Sequence, residues 1–208
     1  MRRIALVIAA AGFLALPATA SAAMHYGARG PAVLALQRKL ARLTFFPAHH
    51  ASGYYGLRTE QAVMAFQGWH NLTRDGVAGG ATFAELRNAN IPRPRTRAYR
   101  HVEVHLKAQV ALLVQNRKVI RTIHVSTGRP GLPTPSGSFR VYLKQRMSWS
   151  RPFHSWMPLA SYFYGGYAFH EYPDVPGYPA SHGCVRIAKG DATVMWYFAT
   201  VGTPVLVR

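Results

Sequence analysis

A single cysteine, Cys184, stands in 208 residues, so an internal disulfide is excluded. Acidic residues are scarce as well: seven Asp and Glu face 25 Lys and Arg, for a formal charge of +18. Charged residues make up only 15% of the chain and hydrophobic ones 49%. That balance excludes wholesale disorder and leaves enough apolar surface for a core. The apolar stretch Ile4 to Leu16 falls short of the roughly 20 residues a transmembrane helix needs. It follows Arg2-Arg3, stops at Pro17, and leads to the small-x-small site Ala20-Ser21-Ala22. Residues 1–22 therefore read as a secretory signal, with the membrane met only during export; an uncleaved anchor is the alternative. No cysteine lies near that site to carry a lipid.

An exported, strongly basic chain favours polyanionic partners. There is no recognition helix and no aromatic-basic single-strand platform, so nucleic acid is not among them. Envelope polymers carrying carboxylates and phosphates suit the compartment. A lone cysteine in an exported chain is either buried and inert or reactive. Its neighbours decide which.

Eighteen glycines and 14 prolines point to many turns, and the patterning divides the chain. Residues 26–89 read as a helical module. Gly30-Pro31 suits a helix start, and Val33, Leu36, Leu40 and Leu43 recur on one face. After a turn at Ser52–Gly56, Thr59 is a candidate cap for a second helix carrying Ala62, Val63 and Phe66. Thr82 with Glu85 suggests a capping box for a third. Residues 90–100, rich in proline and arginine, read as a linker. From 101 to 208 the period becomes that of strands: Val102, Val104 and Leu106 alternate with His101, Glu103 and His105, as a half-buried strand requires. Further strands are expected at 110–114, 119–125, 137–143 and 204–207, with a turn around Asn116-Arg117 and one helix at 191–200. The fold class expected is a small all-α three-helix module followed by a mostly β, sandwich-like domain with one late helix.

The segment Ala180-Ser181-His182-Gly183-Cys184-Val185-Arg186 carries chemical logic. A thiol is a modest nucleophile at neutral pH unless a base or positive charge assists it. Histidine is suited to that task. His182, two positions from Cys184, would face the same side if the segment were a strand. His170 lies upstream at the end of an aromatic run, joined to the cysteine segment through the Pro/Gly-rich loop 173–179. Gly183 permits close backbone approach, its amide can serve an oxyanion, and Arg186 can engage a carboxylate. The histidines lack the paired acidic or cysteine spacing of a zinc site, so no metal or cofactor is expected.

Two resemblances add to this reading. Gly30, Val33, Leu36, Gln37, Gly53, Tyr55, Gly56, Thr59, Ala62, Val63, Phe66, Gln67, Asp75, Gly76, Gly79 and Thr82 follow the pattern of the three-helix peptidoglycan-binding domains. Ser52 and Gly80 depart from it. A helical spacer is the alternative. The second half resembles the L,D-transpeptidase (YkuD) catalytic domain. The matching residues are Val125-Ser126-Thr127-Gly128, Thr134-Pro135, Gly137, Phe139, Gly166, Ala168, His170, Ser181-His182-Gly183-Cys184, Arg186 and Val201–Val205.

The resemblance implies an exported enzyme of the cell envelope acting on peptidoglycan. Cys184 would be the nucleophile and His170 the base; His182 and the amides of Gly183 and Cys184 would form the oxyanion hole. Ser181, Tyr167 and Arg186 would contact substrate. The product would be a 3→3 cross-link formed through a thioester. Trimming by an L,D-carboxypeptidase and a silent wall-binding protein are the alternatives. Aromatic residues such as Trp156, Tyr162, Phe163, Tyr164 and Tyr167 are candidate walls of the cleft. Glu171 stands where the family commonly has a small residue. The resemblance implies that its backbone carbonyl can orient His170; a carboxylate lying close to the ring would in addition favour a charged His170 and hence a thiolate. Oligomeric state is not legible.

Overall fold

The computed structural model describes residues 23–208; the candidate signal segment 1–22 lies outside them. Three helices come first: α1 (Pro31–Arg42), α2 (Leu57–Trp69) and α3 (Gly80–Asn88). Pro31 occupies the first turn of α1, after Gly30, where a missing N–H costs nothing. The two threonines do not cap. Gly56 and Gly79 hold the cap positions of α2 and α3, and Thr59 and Thr82 lie one turn further in, buried. Each instead bonds a buried glutamine: Gln37 Nε2 donates to Thr59 Oγ1 at 2.9 Å and Gln67 Nε2 to Thr82 Oγ1 at 3.2 Å. The same glutamines accept from the turn amides of Gly53 and Gly76. These paired glutamines therefore tie turns to helices, satisfying backbone donors that burial would otherwise orphan. Glu85 pairs with His70 at 2.7 Å rather than closing a capping box.

Nine strands and one helix follow: β1 (Arg100–His105), β2 (Val110–Gln115), β3 (Lys118–His124), β4 (Gly137–Arg140), β5 (Leu143–Ser150), β6 (Ser155–Tyr164), β7 (Tyr167–Glu171), β8 (Val185–Ile187), α4 (Asp191–Phe198) and β9 (Pro204–Val207). They form two sheets, ordered β3-β2-β1-β9-β4 and β5-β6-β7-β8. Val104, Leu113, Ile123, Phe163, Phe169 and Val185, with Met195 of α4, fill the core of this β region. Asn116 and Arg117 both have positive φ, 53° and 63°, the geometry of a two-residue hairpin turn.

Three expectations change. The predicted strand 137–143 is broken at Val141. That residue exchanges hydrogen bonds with Gly202 and Thr203 beside the first sheet, whereas Tyr142 N–H donates to Tyr162 O in the second. The long β5–β6 hairpin was not legible, since its strands mix exposed aromatics with polar residues on both faces. And β1 is buried on both faces, not one. Glu103, fully buried, accepts from the amides of Arg95 and Thr96 and contacts His101 and His105. Burial pushes the Glu103 pKa upward, but these hydrogen bonds prevail and hold it down to about 2. The linker is thus fastened across the sheet.

Next to it, Trp69 of α2 packs on Val110, Leu112, Val114 and Val119. That cover explains why β2 reads as a continuous apolar run instead of an alternating one.

Candidate active site

The site is built where β7 and β8 run parallel, with Phe169 opposite Val185 and His170 opposite Arg186. Loop 172–184 returns the chain from one strand to the other. This places His170, on β7, and Cys184, immediately before β8, on the same small cleft, with His182 and Arg186 also in its wall. The opposite wall comes from the β5–β6 hairpin through Ser150, Phe153, Ser155 and Met157.

His170 is buried, 5% exposed. Its Nδ1 lies 2.9 Å from the carbonyl oxygen of Glu171. A carbonyl only accepts, so Nδ1 carries the proton in the neutral ring and Nε2 keeps its lone pair. Burial, reinforced by the Arg186 charge and opposed by that hydrogen bond, pushes the His170 pKa down to about 4. Of the two roles expected for Glu171, the structure has the backbone one: its carbonyl orients the ring, and its carboxylate is not among the groups that set the charge. Burial also raises the Cys184 thiol, against the lowering effects of the Ala168 amide and Arg186. The resting pair at neutral pH is thiol and imidazole, not thiolate and imidazolium. Among the described residues, the Sγ atom has polar contacts with Gly166 O at 3.6 Å and Met157 Sδ at 4.0 Å.

The cysteine segment is not an extended strand before Val185, so the expected same-side geometry of His182 and Cys184 does not arise from strand alternation. A compact loop takes its place. Ser181 Oγ donates to Cys184 O at 2.5 Å and accepts from Gly183 N–H at 3.0 Å. Ser181, expected to contact substrate, does line the cleft but is 2% exposed, and its hydroxyl serves the loop. The Gly183 amide, expected in the oxyanion hole, already donates within it. Gly183 has φ +114°, and a Cβ there would lie 2.5 Å from Tyr167 Cε1. Tyr167 therefore backs the loop instead of facing the cleft. Nor do the other aromatics expected as walls line it: Phe163 is core, and Trp156 is 56% exposed against Trp149.

The aromatic residues that do wall it, Phe153 and Tyr172, were missed. Phe153 stacks on His182 at 4.3 Å with planes 21° apart. Tyr172 lies under the Arg186 guanidinium, 4.0 Å from ring centre to Cζ. Arg186 also stands 3.8 Å from the exposed Asp174 carboxylate. Partial burial, with Arg129 and Arg186, lowers the His182 pKa. The cleft can thus offer a neutral base, a thiol and a cation suited to a carboxylate.

The segment 125–134, quoted above only for its resemblance, holds this loop from behind. Ser126 exchanges two backbone hydrogen bonds with Arg186, at 3.1 and 3.0 Å, and Thr127 O accepts from Ser181 N–H. Thr134 Oγ1 donates to Gly183 O at 2.6 Å and accepts from Gly128 N–H at 2.9 Å. A Cβ on Gly128 would fall 2.2 Å from Leu132 O. The tight turn thus requires glycine.

Comparison with known proteins agrees with this geometry. The L,D-transpeptidase catalytic domain family matches residues 99–207, and a peptidoglycan binding domain family matches residues 29–86. The crystal structure of an L,D-transpeptidase from Xylanimonas cellulosilytica is similar over 93% of this chain and 100% of that one, at 37% identity and a TM-score of 0.85. L,D-transpeptidase 1 of Mycobacterium tuberculosis is 33% identical over 119 residues, which is 48% of this chain and 47% of that protein. The N-acetylmuramoyl-L-alanine amidase CwlL of Bacillus licheniformis is 41% identical over 64 residues, 28% of this chain and 18% of that one. The chain thus spans about half the length, or less, of these curated relatives. The two-sheet fold, the paired strands under the cleft and the match over residues 99–207 together establish that this chain belongs to the L,D-transpeptidase catalytic domain family.

Proposed function

We propose that this protein is a cysteine L,D-transpeptidase that joins peptidoglycan stem peptides through Cys184. The observation that carries the reading is the fixed tautomer of His170: Nδ1–H is held by Glu171 O at 2.9 Å, leaving Nε2 as a base on the cleft that Cys184 shares. In the first half-reaction Nε2 takes the thiol proton as Sγ attacks the carbonyl of the third residue of a tetrapeptide stem. The oxyanion is received by His182 and the Cys184 amide. The C–N bond to the terminal D-alanine then breaks, the proton passes from His170 to the leaving amine, and a thioester remains. In the second half-reaction an amine from another stem attacks the thioester. His170 accepts its proton and returns it to sulfur, giving a 3→3 cross-link and the free thiol. Arg186 holds a stem carboxylate.

The helical module at 26–89 keeps the enzyme on the wall, and the protein works in the cell envelope after export. Water in place of the second amine would make the enzyme an L,D-carboxypeptidase.

Mass spectrometry of the protein mixed with a defined tetrapeptide stem tests this. An acyl adduct and a cross-linked dimer are expected, both lost in Cys184→Ala. Tripeptide without dimer would assign trimming instead, and turnover by Cys184→Ala would overturn the cysteine mechanism.

A further inference from the structure

The loop between the two catalytic strands has an unusual hydrogen-bond problem. Pro173, Pro176 and Pro179 deprive it of donors and keep it from pairing as a strand, so its carbonyls need partners from elsewhere. Four consecutive ones find side chains. Val175 O accepts from Gln61 Nε2 at 3.4 Å, and Pro176 O from His124 Nε2 at 3.0 Å. Gly177 O accepts from Arg74 Nε, and Tyr178 O from Ser126 Oγ at 2.7 Å.

The donors alternate. His124 ends β3, at one edge of the first sheet, and Ser126 follows it, while Gln61 and Arg74 belong to the helical module. Arg74 has a second bond, Nη1 to Lys107 O at 3.1 Å, in the β1–β2 turn. The two surfaces meet without slack: a Cβ on Gly177 would lie 2.1 Å from Arg74 O, and one on Gly68 of α2 2.2 Å from Ala108 O. Thr44 and Thr122 add a backbone hydrogen bond of 2.8 Å and a hydroxyl pair at 3.1 Å.

We infer that Arg74 and Gln61 are positioning residues for the transpeptidase reaction, so that the helical module completes the catalytic loop as well as carrying the enzyme to the wall. The loop runs from the end of the His170 strand to Cys184, and so sets where Cys184 stands on the cleft it shares with His170. Half of the side-chain donors to its central carbonyls come from the module, and an ångström of slack in such a loop is enough to lower a chemical step substantially. The inference rests on the reaction proposed above.

The test uses the full chain and a free tetrapeptide stem, which removes wall binding from the measurement. Arg74→Ala combined with Gln61→Ala should lower kcat for acylation about tenfold while KM changes less than about twofold. Arg74→Lys, which keeps one donor, should recover part of the loss, and Arg38→Ala on the outer face of α1 should match wild type. Amide exchange across 180–186 should quicken in the double variant. A double variant that melts cooperatively and keeps wild-type kcat and exchange would overturn the inference. Should it fail to fold, Arg74→Lys and Gln61→Ala singly are read by the same two measurements. A wild-type protein that forms no adduct refutes the proposed reaction instead, and exchange across 180–186 still judges the role of Arg74 and Gln61.

Discussion

The protonation state of His170, the proposed base, is the sharpest consequence of the geometry. Burial holds His170 down to about 4, whereas an ordinary histidine titrates near 6.5. At pH 5.5 a group of pKa 4 is ~97% neutral and one of pKa 6.5 only ~9%, a difference of about tenfold in active enzyme. The proposed acylation requires one proton shared by the Cys184–His170 pair, whichever atom carries it. The acidic limb of kcat/KM for the stem, which reports the free enzyme, should therefore fall near pH 4, with little change between pH 5.5 and 7.5. The upper limb should lie above the ordinary thiol range, because burial raises Cys184. The assay is the rate of the acyl mass shift under pseudo-first-order conditions across pH 3.5–9.5, in buffers of matched ionic strength. Glu171→Gln should superimpose on wild type, since the backbone carbonyl and not the carboxylate holds the ring. An acidic limb near 6.5, or one displaced by Glu171→Gln, would refute this account of the base.

Three further outcomes follow from the same structure. His124, fully buried and held down to about 4 by burial, joins His170 in binding protons more weakly folded than unfolded. Stability from both is therefore complete above about pH 6.5 and lost as pH falls toward 4, by about 3 kcal/mol for each. Urea unfolding at stepped pH should show that loss, flattened in His124→Gln; constant stability from pH 7 to 4.5 would contradict it. Glu103 acts in a lower window, its contribution present above about 4.5 and lost toward 2. Gly183→Ala meets both a φ of +114° and a contact of 2.5 Å with Tyr167, so it should cost about 3 kcal/mol and abolish acylation. Retention of wild-type melting temperature and adduct formation would show that the loop tolerates a Cβ.

Sequence alone determined a good deal here. The change from helical to strand periodicity near residue 100, the apolar faces of α1 and α2, the Asn116-Arg117 turn and the β9 strand are local properties, and local patterns report them. The Ser-His-Gly-Cys segment and His170 stood out as candidates because cysteine chemistry would need those residue types near one another, and the fold brings them to one cleft. Tertiary structure decided what depends on partners distant in the chain. Thr59 and Thr82 look like caps until buried Gln37 and Gln67 reach them. Val141 looks like mid-strand until its hydrogen bonds prove to belong to a different sheet from those of Tyr142. Glu171 beside His170 suggested an ion pair; the fold directs its carbonyl to the ring and buries the imidazole, and desolvation then outweighs any neighbouring charge. Nothing in the 173–179 run announces that Gln61 and Arg74 will hold its carbonyls. Those contacts exist only because a proline-rich loop lacks its own donors and the helical module lies against it.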